Sequence, residues 1–233
     1  MNLDYRKGCI LILARGGSKG IVNKNMVYVL GRPLIYYVLK ESIKFEKLDV
    51  FVSSDDNNIL NYSKSLGAKT IHRPTEISGD LSPDLDGFKH FFNHFVEYDY
   101  AIHLRATFPL ITSKIIEEAN SIFLDNYLNF DSLRSMIPSR QNPYKMWHVS
   151  DDGSAKSVID GNIFHSMPRQ LIKKSYIQNA CIDITKRKNV IELDNMIGNR
   201  CYPFIMDKQH HIDIDNKEDL KEATNAIRFR DGK

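Results

Sequence analysis

Four short apolar runs in the first half of the chain are bounded by turn residues. They are rich in β-branched residues and too short for a helix, so we interpret them as buried strands. The predicted strands lie at residues 9–13, 49–53, 69–72 and 99–105.

The segments between and after these runs have apolar positions every three or four residues, the period of a helix packed on a core. These predicted helices lie at residues 34–45, 57–67, 87–96 and 112–126. Strands that alternate with helices predict an α/β fold with right-handed crossovers.

The pattern changes at residue 132. Short β-like runs follow, separated by turn signals at Asp152-Gly153 and Asp160-Gly161, until residues 178–184 return to the pattern of a core strand. We therefore predict a single domain over residues 1–233, with a β-rich excursion at about 135–178.

Composition narrows the class of protein. The 233 residues are 42% hydrophobic and 26% charged with a net charge of +3, values typical of a soluble globular protein that does not bind nucleic acid. Every apolar run is too short to span a bilayer, and the N-terminus has no secretory signal, so we expect no membrane partner. Three widely spaced cysteines indicate reduced thiols and a cytoplasmic location.

The loop after the first strand has the composition of an anion-binding site. Three glycines in residues 14–20 predict positive φ angles and a bend whose amides point inward as an anion-binding nest. Arg15 and Lys19 add two positive charges, so the loop predicts a polyphosphate site. It matches neither the dinucleotide fingerprint nor the Walker loop.

The second chemical motif is Ile212-Asp213-Ile214-Asp215. If these residues form a strand, Asp213 and Asp215 share one face, where two carboxylates favour a hard cation such as Mg²⁺ or Mn²⁺. The alternative is a solvated edge strand. Asn216 then predicts the cap of a helix at residues 217–229.

These two motifs resemble those of the acylneuraminate cytidylyltransferase family. That family begins with a strand, A-R-x-x-S-K-G and a K-N pair, and ends with I-D-I-D; this chain has Ala14-Arg15, Ser18-Lys19-Gly20, Lys24-Asn25 and the last motif in the same order. The resemblance extends over nearly the whole chain. It implies a three-layer, Rossmann-like nucleotidyltransferase fold with a mixed, mostly parallel sheet.

The resemblance also implies a reaction. An acceptor oxygen attacks the α-phosphorus of CTP and pyrophosphate leaves, with catalytic roles for Arg15, Lys19, Asp213 and Asp215, the last two on Mg²⁺ or Mn²⁺. The residues expected to bind the nucleotide are Ala14, Gly16, Gly17, Ser18, Asn25, Arg73 and Asp80. The general base stays open between Asp213, a metal-bound hydroxide and ionisation of the acceptor itself.

On the acceptor side the chain departs from the family pattern. Arg105 replaces a Gln of the L-Q-P-T-S-P-L segment, and Asp183 replaces the Tyr of N-G-A-I-Y-I. The residues expected to bind the acceptor are Arg105, Thr107, Lys145, Arg169, Gln170, Asn179 and Asp183. Because the excursion crosses to a second subunit in related enzymes, we expect a homodimer in which Lys145 and Arg169 act across the interface.

The expected activity is transfer of CMP to a sialic-acid-like nonulosonic acid, an acidic or amino sugar, in cell-surface glycan biosynthesis. The Arg105 and Asp183 replacements predict an acceptor other than N-acetylneuraminate, unless the two form a structural ion pair. Two other functions stay open: transfer to a phosphorylated amino sugar or phosphonate, and nucleotide binding without catalysis. Retention of both charged motifs argues against the second.

Overall fold

The protein is described by a computed structural model covering residues 6–18, 20–207, 212–230 and 232. Seven of its strands form one central sheet, and four more form two hairpins. In chain order the strands are β1 (Gly8–Leu13), β2 (Tyr28–Val29), β3 (Arg32–Pro33), β4 (Asp49–Ser54), β5 (Lys69–His72), β6 (Tyr100–Leu104), β7 (Ser132–Pro138), β8 (Trp147–Val149), β9 (Ala155–Ser157), β10 (Tyr176–Lys186) and β11 (Cys201–Ile205).

The central sheet has the strand order β11-β7-β10-β6-β1-β4-β5. β10 runs antiparallel to both of its neighbours, β6 and β7, whereas the other neighbouring pairs are parallel. The prediction of a mixed, mostly parallel sheet is therefore confirmed. The chain leaves β1 towards β4 on one side and returns to β6 on the other, so the strand order reverses between β1 and β6.

Helices cover both faces of this sheet. They are α1 (Ile35–Lys44), α2 (Asn57–Ser65), α3 (Asp84–His94), α4 (Ser113–Asp125), α5 (Arg187–Ile191) and α6 (Lys217–Arg230). Ile10 and Ile12 pack in the core with residues of α1, α2 and α4, whereas Cys9 and Leu11 pack with the Phe residues of α3. Alternate side chains of one strand thus serve opposite layers, which confirms the three-layer α/β architecture.

Several local signals in the sequence act as predicted. The Asp56 carboxylate accepts a hydrogen bond from the Asn58 amide at the start of α2, and Gly67 beyond its end has a φ of +100°. Before α6, Asn216 accepts from the Asp219 amide while the Asp219 carboxylate accepts from the Asn216 amide. α3 begins at Asp84, earlier than the predicted residue 87.

The β-rich excursion is shorter than predicted at both ends. Residues 132–138 and 176–186 belong to the central sheet, so residues 139–175 are the part that leaves it. Within that part, β8 and β9 pair as an antiparallel hairpin.

The predicted strand at residues 212–215 is wrong, because these residues have no strand structure. Ile214 is fully buried and its amide donates to the carbonyl of Thr107 at 3.1 Å. Ile214, and in part Ile212, pack in an apolar cluster with residues of α6, which explains the apolar–polar alternation without a sheet ladder.

Cys9 and Cys181 are buried free thiols and Cys201 is a half-buried one. In the described part of the chain, no helix is both long and apolar enough to cross a membrane.

Candidate active site

A cavity of about 510 Å³ lies at the ends of β1 and β6, where the strand order reverses; we call it the main cavity. Open α/β sheets bind ligands at such a reversal, beyond the carboxyl ends of the strands. The cavity brings together predicted residues from distant segments of the chain: Arg15, Ser18, Asn25, Arg73, Asp80, Arg105, Thr107 and Asp215.

The loop after β1 is held by specific hydrogen bonds. The amide of buried Ala14 donates to the Ser53 carbonyl at 3.0 Å, and the Gly16 amide donates to Asp55 Oδ1 at 2.9 Å. Asn25, also buried, donates through Nδ2 to the Arg15 carbonyl at 2.9 Å. Asn25 therefore positions the loop as well as lining the cavity. The Gly16 amide is already paired, so it is not a free member of an anion-binding nest.

The loop glycines are needed for close packing and not for the predicted positive φ, which neither Gly16 nor Gly17 adopts. A Cβ at Gly16 would lie 2.8 Å from the Asp56 Cβ, and one at Gly20 would lie 2.6 Å from the Asp215 carbonyl oxygen. Nothing lies within 4 Å of a Cβ at Gly17. Gly16 thus lets the Asp56 side chain approach the loop, and Gly20 lets the Asp215 backbone carbonyl approach it.

Arg15 reaches across the cavity to Asp80, with its Nη1 atom 2.5 Å from Oδ1. This pair joins the loop after β1 to the segment before α3. Ser18 lines the cavity beside it. Lys19, the other predicted catalytic cation, lies outside the described residues.

Arg73 is buried and is not a surface residue. Its Nε atom donates to the Ser78 hydroxyl at 2.9 Å, and Gly87 leaves room for its guanidinium, because a Cβ there would lie 3.0 Å from Nη1. Burial lowers the pKa of Arg73, and the negative charge of Asp55 opposes that shift. An arginine held rigidly in the wall of a cavity is suited to contact a ligand.

The last motif lies beside the first. Lys24 Nζ contacts Asp215 Oδ1 at 2.9 Å and the Ile214 carbonyl at 2.6 Å. Asp215 itself is largely exposed, with 73% of its side chain accessible. The two chemical motifs, which are at opposite ends of the sequence, therefore form one wall of the cavity.

The two carboxylates of the last motif interact although they do not share a strand face. Burial raises the pKa of Asp213; a hydrogen bond from the Thr107 hydroxyl opposes the shift, and the charge of Asp215 adds to it. Asp213 Oδ1 is buried and makes no hydrogen bond. A buried, unsatisfied carboxylate oxygen beside a second carboxylate fits a hard cation.

The described residues contain no group of three or more His, Cys, Asp or Glu side chains placed to hold a metal. Two carboxylates would leave most coordination positions of Mg²⁺ to water and to the oxygens of a phosphate ligand, which is how proteins commonly bind this ion. The residues present thus fit a metal that arrives with its substrate.

Arg105 and Asp183 form an ion pair, which was the alternative to a role of both residues in acceptor binding. Arg105 Nη1 lies 3.1 Å from Asp183 Oδ2, and Arg134 Nη1 lies 2.7 Å from the same oxygen. Asp183 is 1% exposed, so it does not face the cavity as expected of an acceptor contact. Its neighbour Asn179 is also buried, with its amide against the Met206 sulfur.

The remaining predicted acceptor residues lie elsewhere. Lys145 and Arg169 line a separate cavity of about 390 Å³, with Arg140, Lys173 and Lys174; we call it the basic cavity. Gln170 is exposed in the short helical turn beside it. Within one chain these residues do not join the main cavity.

Sequence reasoning missed Lys24, Asp84, His103 and Arg134 as residues of this region. For Lys24 a signal was present, since it precedes Asn25 in the family's K-N pair. For Arg134 the sequence contains no such signal, because its contact with Asp183 follows from the pairing register of β7 with β10.

Fold and site together define an α/β protein with a phosphate-suited cavity at its sheet reversal. The profile of the cytidylyltransferase family matches residues 9–222, and the chain belongs to that family.

Two relatives illustrate the similarity. The N-acylneuraminate cytidylyltransferase of Streptococcus agalactiae serotype V is 25% identical over 97% of this chain and 58% of its own length. The post-translational flagellin modification protein B of Campylobacter coli is 30% identical over 90% of both chains. The chain thus spans little more than half of the streptococcal relative.

Among solved structures, a CMP:2-keto-3-deoxy-manno-octonic acid synthetase complexed with CTP superposes with a TM-score of 0.71. It is 16% identical to this chain, and the match covers 96% of this chain and 99% of that one. At this identity the likeness supports the fold.

Proposed function

We propose that the protein is a cytidylyltransferase that transfers CMP from CTP to a hydroxyl oxygen of a sialic-acid-like nonulosonic acid. The acceptor oxygen forms a bond to the α-phosphorus, the bond from that phosphorus to the β-phosphate oxygen breaks, and pyrophosphate leaves with the electron pair. The observation that carries this proposal is the convergence of Arg15, Lys24, Arg73 and Asp215 at one cavity, with the buried carboxylate of Asp213 close enough to Asp215 to feel its charge.

The residues act mainly by positioning and by electrostatic stabilisation, because nucleotidyl transfer needs little covalent assistance. Arg15, with Lys19, binds the triphosphate and offsets the charge that develops as pyrophosphate leaves. Ala14 and Gly16 set the shape of the loop through their hydrogen bonds, and we assign the Gly17 and Ser18 backbone amides to the phosphates. Buried Arg73 contacts the nucleoside. When the nucleotide binds, Asp80 gives up its contact with Arg15 and accepts hydrogen bonds from the ribose hydroxyls.

Asp213 and Asp215 would hold Mg²⁺ or Mn²⁺. When bound, the metal supplies positive charge to the triphosphate. Lys24 keeps the side chain of Asp215 in place beside the loop. The proton of the acceptor hydroxyl goes either to Asp213 or, when the acceptor ionises before attack, to solvent.

We also propose that a second copy of this chain completes the site. The excursion exposes large apolar side chains, among them Trp147, Val149, Ile163 and Leu171. Several exposed large apolar side chains in one short segment favour an interface, and the basic cavity in the same segment would offer Lys145 and Arg169 to an anionic acceptor in the partner's site. We assign Gln170, which is exposed beside the basic cavity, to the edge of this interface.

The test is pyrophosphate release from CTP and Mg²⁺ with a panel of nonulosonic acids, phosphorylated amino sugars and a phosphonate. Release with a nonulosonic acid and CTP, and much less with UTP, supports the proposal. Preference for a phosphorylated acceptor would favour the alternative transferase. Binding of CTP without release for any acceptor would indicate a non-catalytic homologue.

Complementation tests the dimer. A chain carrying Arg15→Ala and a chain carrying Lys145→Ala with Arg169→Ala are each expected to be inactive alone. Mixed, they form heterodimers with one intact composite site and regain up to about a quarter of wild-type activity. No recovery in a mixture shown to exchange subunits would contradict action across the interface.

A further inference from the structure

Four charged side chains of alternating sign contact one another in a row that ends at the main cavity. Arg134 contacts Asp183, Asp183 contacts Arg105, and Arg105 Nη2 contacts Asp84 Oδ2 at 2.9 Å. Arg105 Nη1 also donates to the Ala180 carbonyl at 2.7 Å. Both terminal nitrogens of Arg105 are therefore engaged, which leaves this cation poorly placed to bind an anionic group on a ligand.

Exposure rises along the same chain of charges. The side chains of Asp183 and Arg134 are 1% and 8% exposed, Arg105 is 22% exposed, and Asp84 is 47% exposed. The group that this array offers to a ligand is thus a carboxylate and not a guanidinium. In the described part of the chain no hydrogen bond is made to Asp84 Oδ1.

Asp84 lies where two cavities meet. It lines the main cavity, and with Pro83 and Arg105 it also lines an adjoining cavity of about 520 Å³, which we call the side cavity. The rest of the side cavity includes the amides of Gln178 and Asn195 and the apolar side chains of Met196 and Ile197. Amide and alkyl walls around a carboxylate suit a substituent that has an N–H group and a short apolar end.

A buried imidazole adjoins Asp84 at the main cavity. His103 is 1% exposed, neither ring nitrogen has a hydrogen-bond partner, and Nδ1 lies 3.7 Å from Asp84 Oδ2. Burial lowers the pKa of His103 to about 3, so the ring is neutral and does not cancel the charge of Asp84. An unpaired buried polar group that lines a cavity indicates that a polar ligand group completes its hydrogen bonding.

We propose that Asp84 is a specificity-determining residue for the acceptor, and that its free carboxylate oxygen accepts a hydrogen bond from an amino or acylamino N–H group. This inference rests on the proposed cytidylyltransferase function and names the feature of the acceptor that the site selects. A hydroxyl at the same position can also donate, but it lacks the alkyl end that the side cavity accommodates. A phosphate or carboxylate there is repelled.

The test compares N-acetylneuraminate, a diamino nonulosonic acid with two acylamino groups, and the nonulosonic acid that carries a hydroxyl in place of the acetamido group. Wild-type kcat/KM should favour an acylamino acceptor over the hydroxyl acid by about tenfold or more, because the hydroxyl acid lacks the alkyl end that fills the side cavity. Asp84→Asn keeps the shape but turns an N–H towards the ligand N–H. It should reduce this preference about tenfold and leave the KM for CTP unchanged.

Asp86→Asn is the matched control, since Asp86 is a second carboxylate in the first turn of the same helix. It should leave the acceptor preference unchanged, and thermal unfolding checks that both variants fold. Equal losses of Asp84→Asn on all three acceptors, or a higher KM for CTP alone, would overturn the proposal. So would a wild-type preference for phosphorylated acceptors that this variant loses.

The same comparison made by calorimetric binding separates this inference from the proposed function. If the wild type binds nitrogen-bearing acids more tightly in the presence of CTP and Asp84→Asn does not, yet pyrophosphate is never released, the proposed function fails and the inference stands. If turnover occurs and selectivity is the same in both proteins, the inference alone fails.

Discussion

Lys24 Nζ lies 2.9 Å from Oδ1 of Asp215, across 191 positions of sequence. The contact joins the loop after β1 to the segment before α6, and the Asp215 carbonyl packs where a side chain at Gly20 would clash. The loop and Asp215 are therefore in direct contact, and a ligand held by the loop lies next to this carboxylate.

Replacing either loop cation should reduce turnover without unfolding the protein. Arg15→Ala and Lys19→Ala each remove a charge-assisted contact to phosphate, worth on the order of 3 kcal/mol in a preorganised site, so kcat/KM should fall about a hundredfold or more. Steady-state pyrophosphate release measures this. Lys47→Ala, in an exposed pair far from the cavity, is the control. Activity within threefold of wild type in both loop variants would remove the loop from the mechanism.

Asp213 should make the metal-free protein less stable as pH rises. Burial raises the pKa of Asp213 in the folded state, so the folded protein binds the proton more tightly than the unfolded chain does. The free energy of unfolding therefore falls as pH rises from the ordinary pKa of Asp to the raised pKa of Asp213. Asp213→Asn should therefore gain stability relative to wild type over that window, and it should need much more Mg²⁺ for activity.

Thermal unfolding in chelator from pH 3 to pH 8 measures the difference, with Asp215→Asn as the comparison because Asp215 is exposed and paired with Lys24. A variant of Asp213 that is clearly less stable than wild type at pH 8 without metal would show that this carboxylate is a structural partner.

Asp183 should matter more for stability than for acceptor binding. Asp183→Asn leaves Arg134 and Arg105 without their shared carboxylate, and loss of one partner from a buried pair costs about 3–5 kcal/mol. Urea unfolding should report most of this loss. The double change Asp183→Leu with Arg134→Met should lose less, because Arg105 keeps Asp84. Near-normal stability of Asp183→Asn with a raised acceptor KM would restore Asp183 as a direct acceptor contact.

Replacing Ala180 with glycine should make the protein more stable. Ala180 has a φ of +55° in the irregular part of β10, where the family pattern has Gly, and a non-glycine residue there is strained by about 1 kcal/mol. Ala180→Gly should raise Tm by about 2–4 °C for a chain of this size. Ala155→Gly, in an exposed strand, should lower Tm instead. A lower Tm for Ala180→Gly would mean that the strain is offset by packing.

The sequence predicted the first half of the fold well because three of its four strands are almost fully buried, and because Asp56 and Thr112 cap two of its helices. It failed at residues 212–215, where two isoleucines separated by an aspartate have the period of a strand but pack with α6 and pair with no strand. Hydrophobic periodicity indicates which side chains are buried, and a side chain can be buried without its backbone being paired in a β-sheet.

The site could be predicted where its residues are adjacent in sequence, as in the loop after β1. It could not be predicted where the contact depends on strand register. Arg134 and Asp183 meet because β7 and β10 pair at those positions, and Asp84 joins them through Arg105 from the start of α3. From the sequence we therefore interpreted Asp183 as an acceptor-binding residue that replaces the family's Tyr. In the structure it instead contacts Arg105 and Arg134.

The most direct test of the cytidylyltransferase proposal is a ³¹P NMR time course with CTP, Mg²⁺ and the preferred nonulosonic acid. We predict that the three triphosphate signals decay together, and that pyrophosphate and a phosphodiester joining CMP to the acceptor appear in equal amounts. The Arg15→Ala protein should show the same products about a hundredfold more slowly. Persistence of all three CTP signals with every acceptor, from folded protein that binds CTP, would contradict the account.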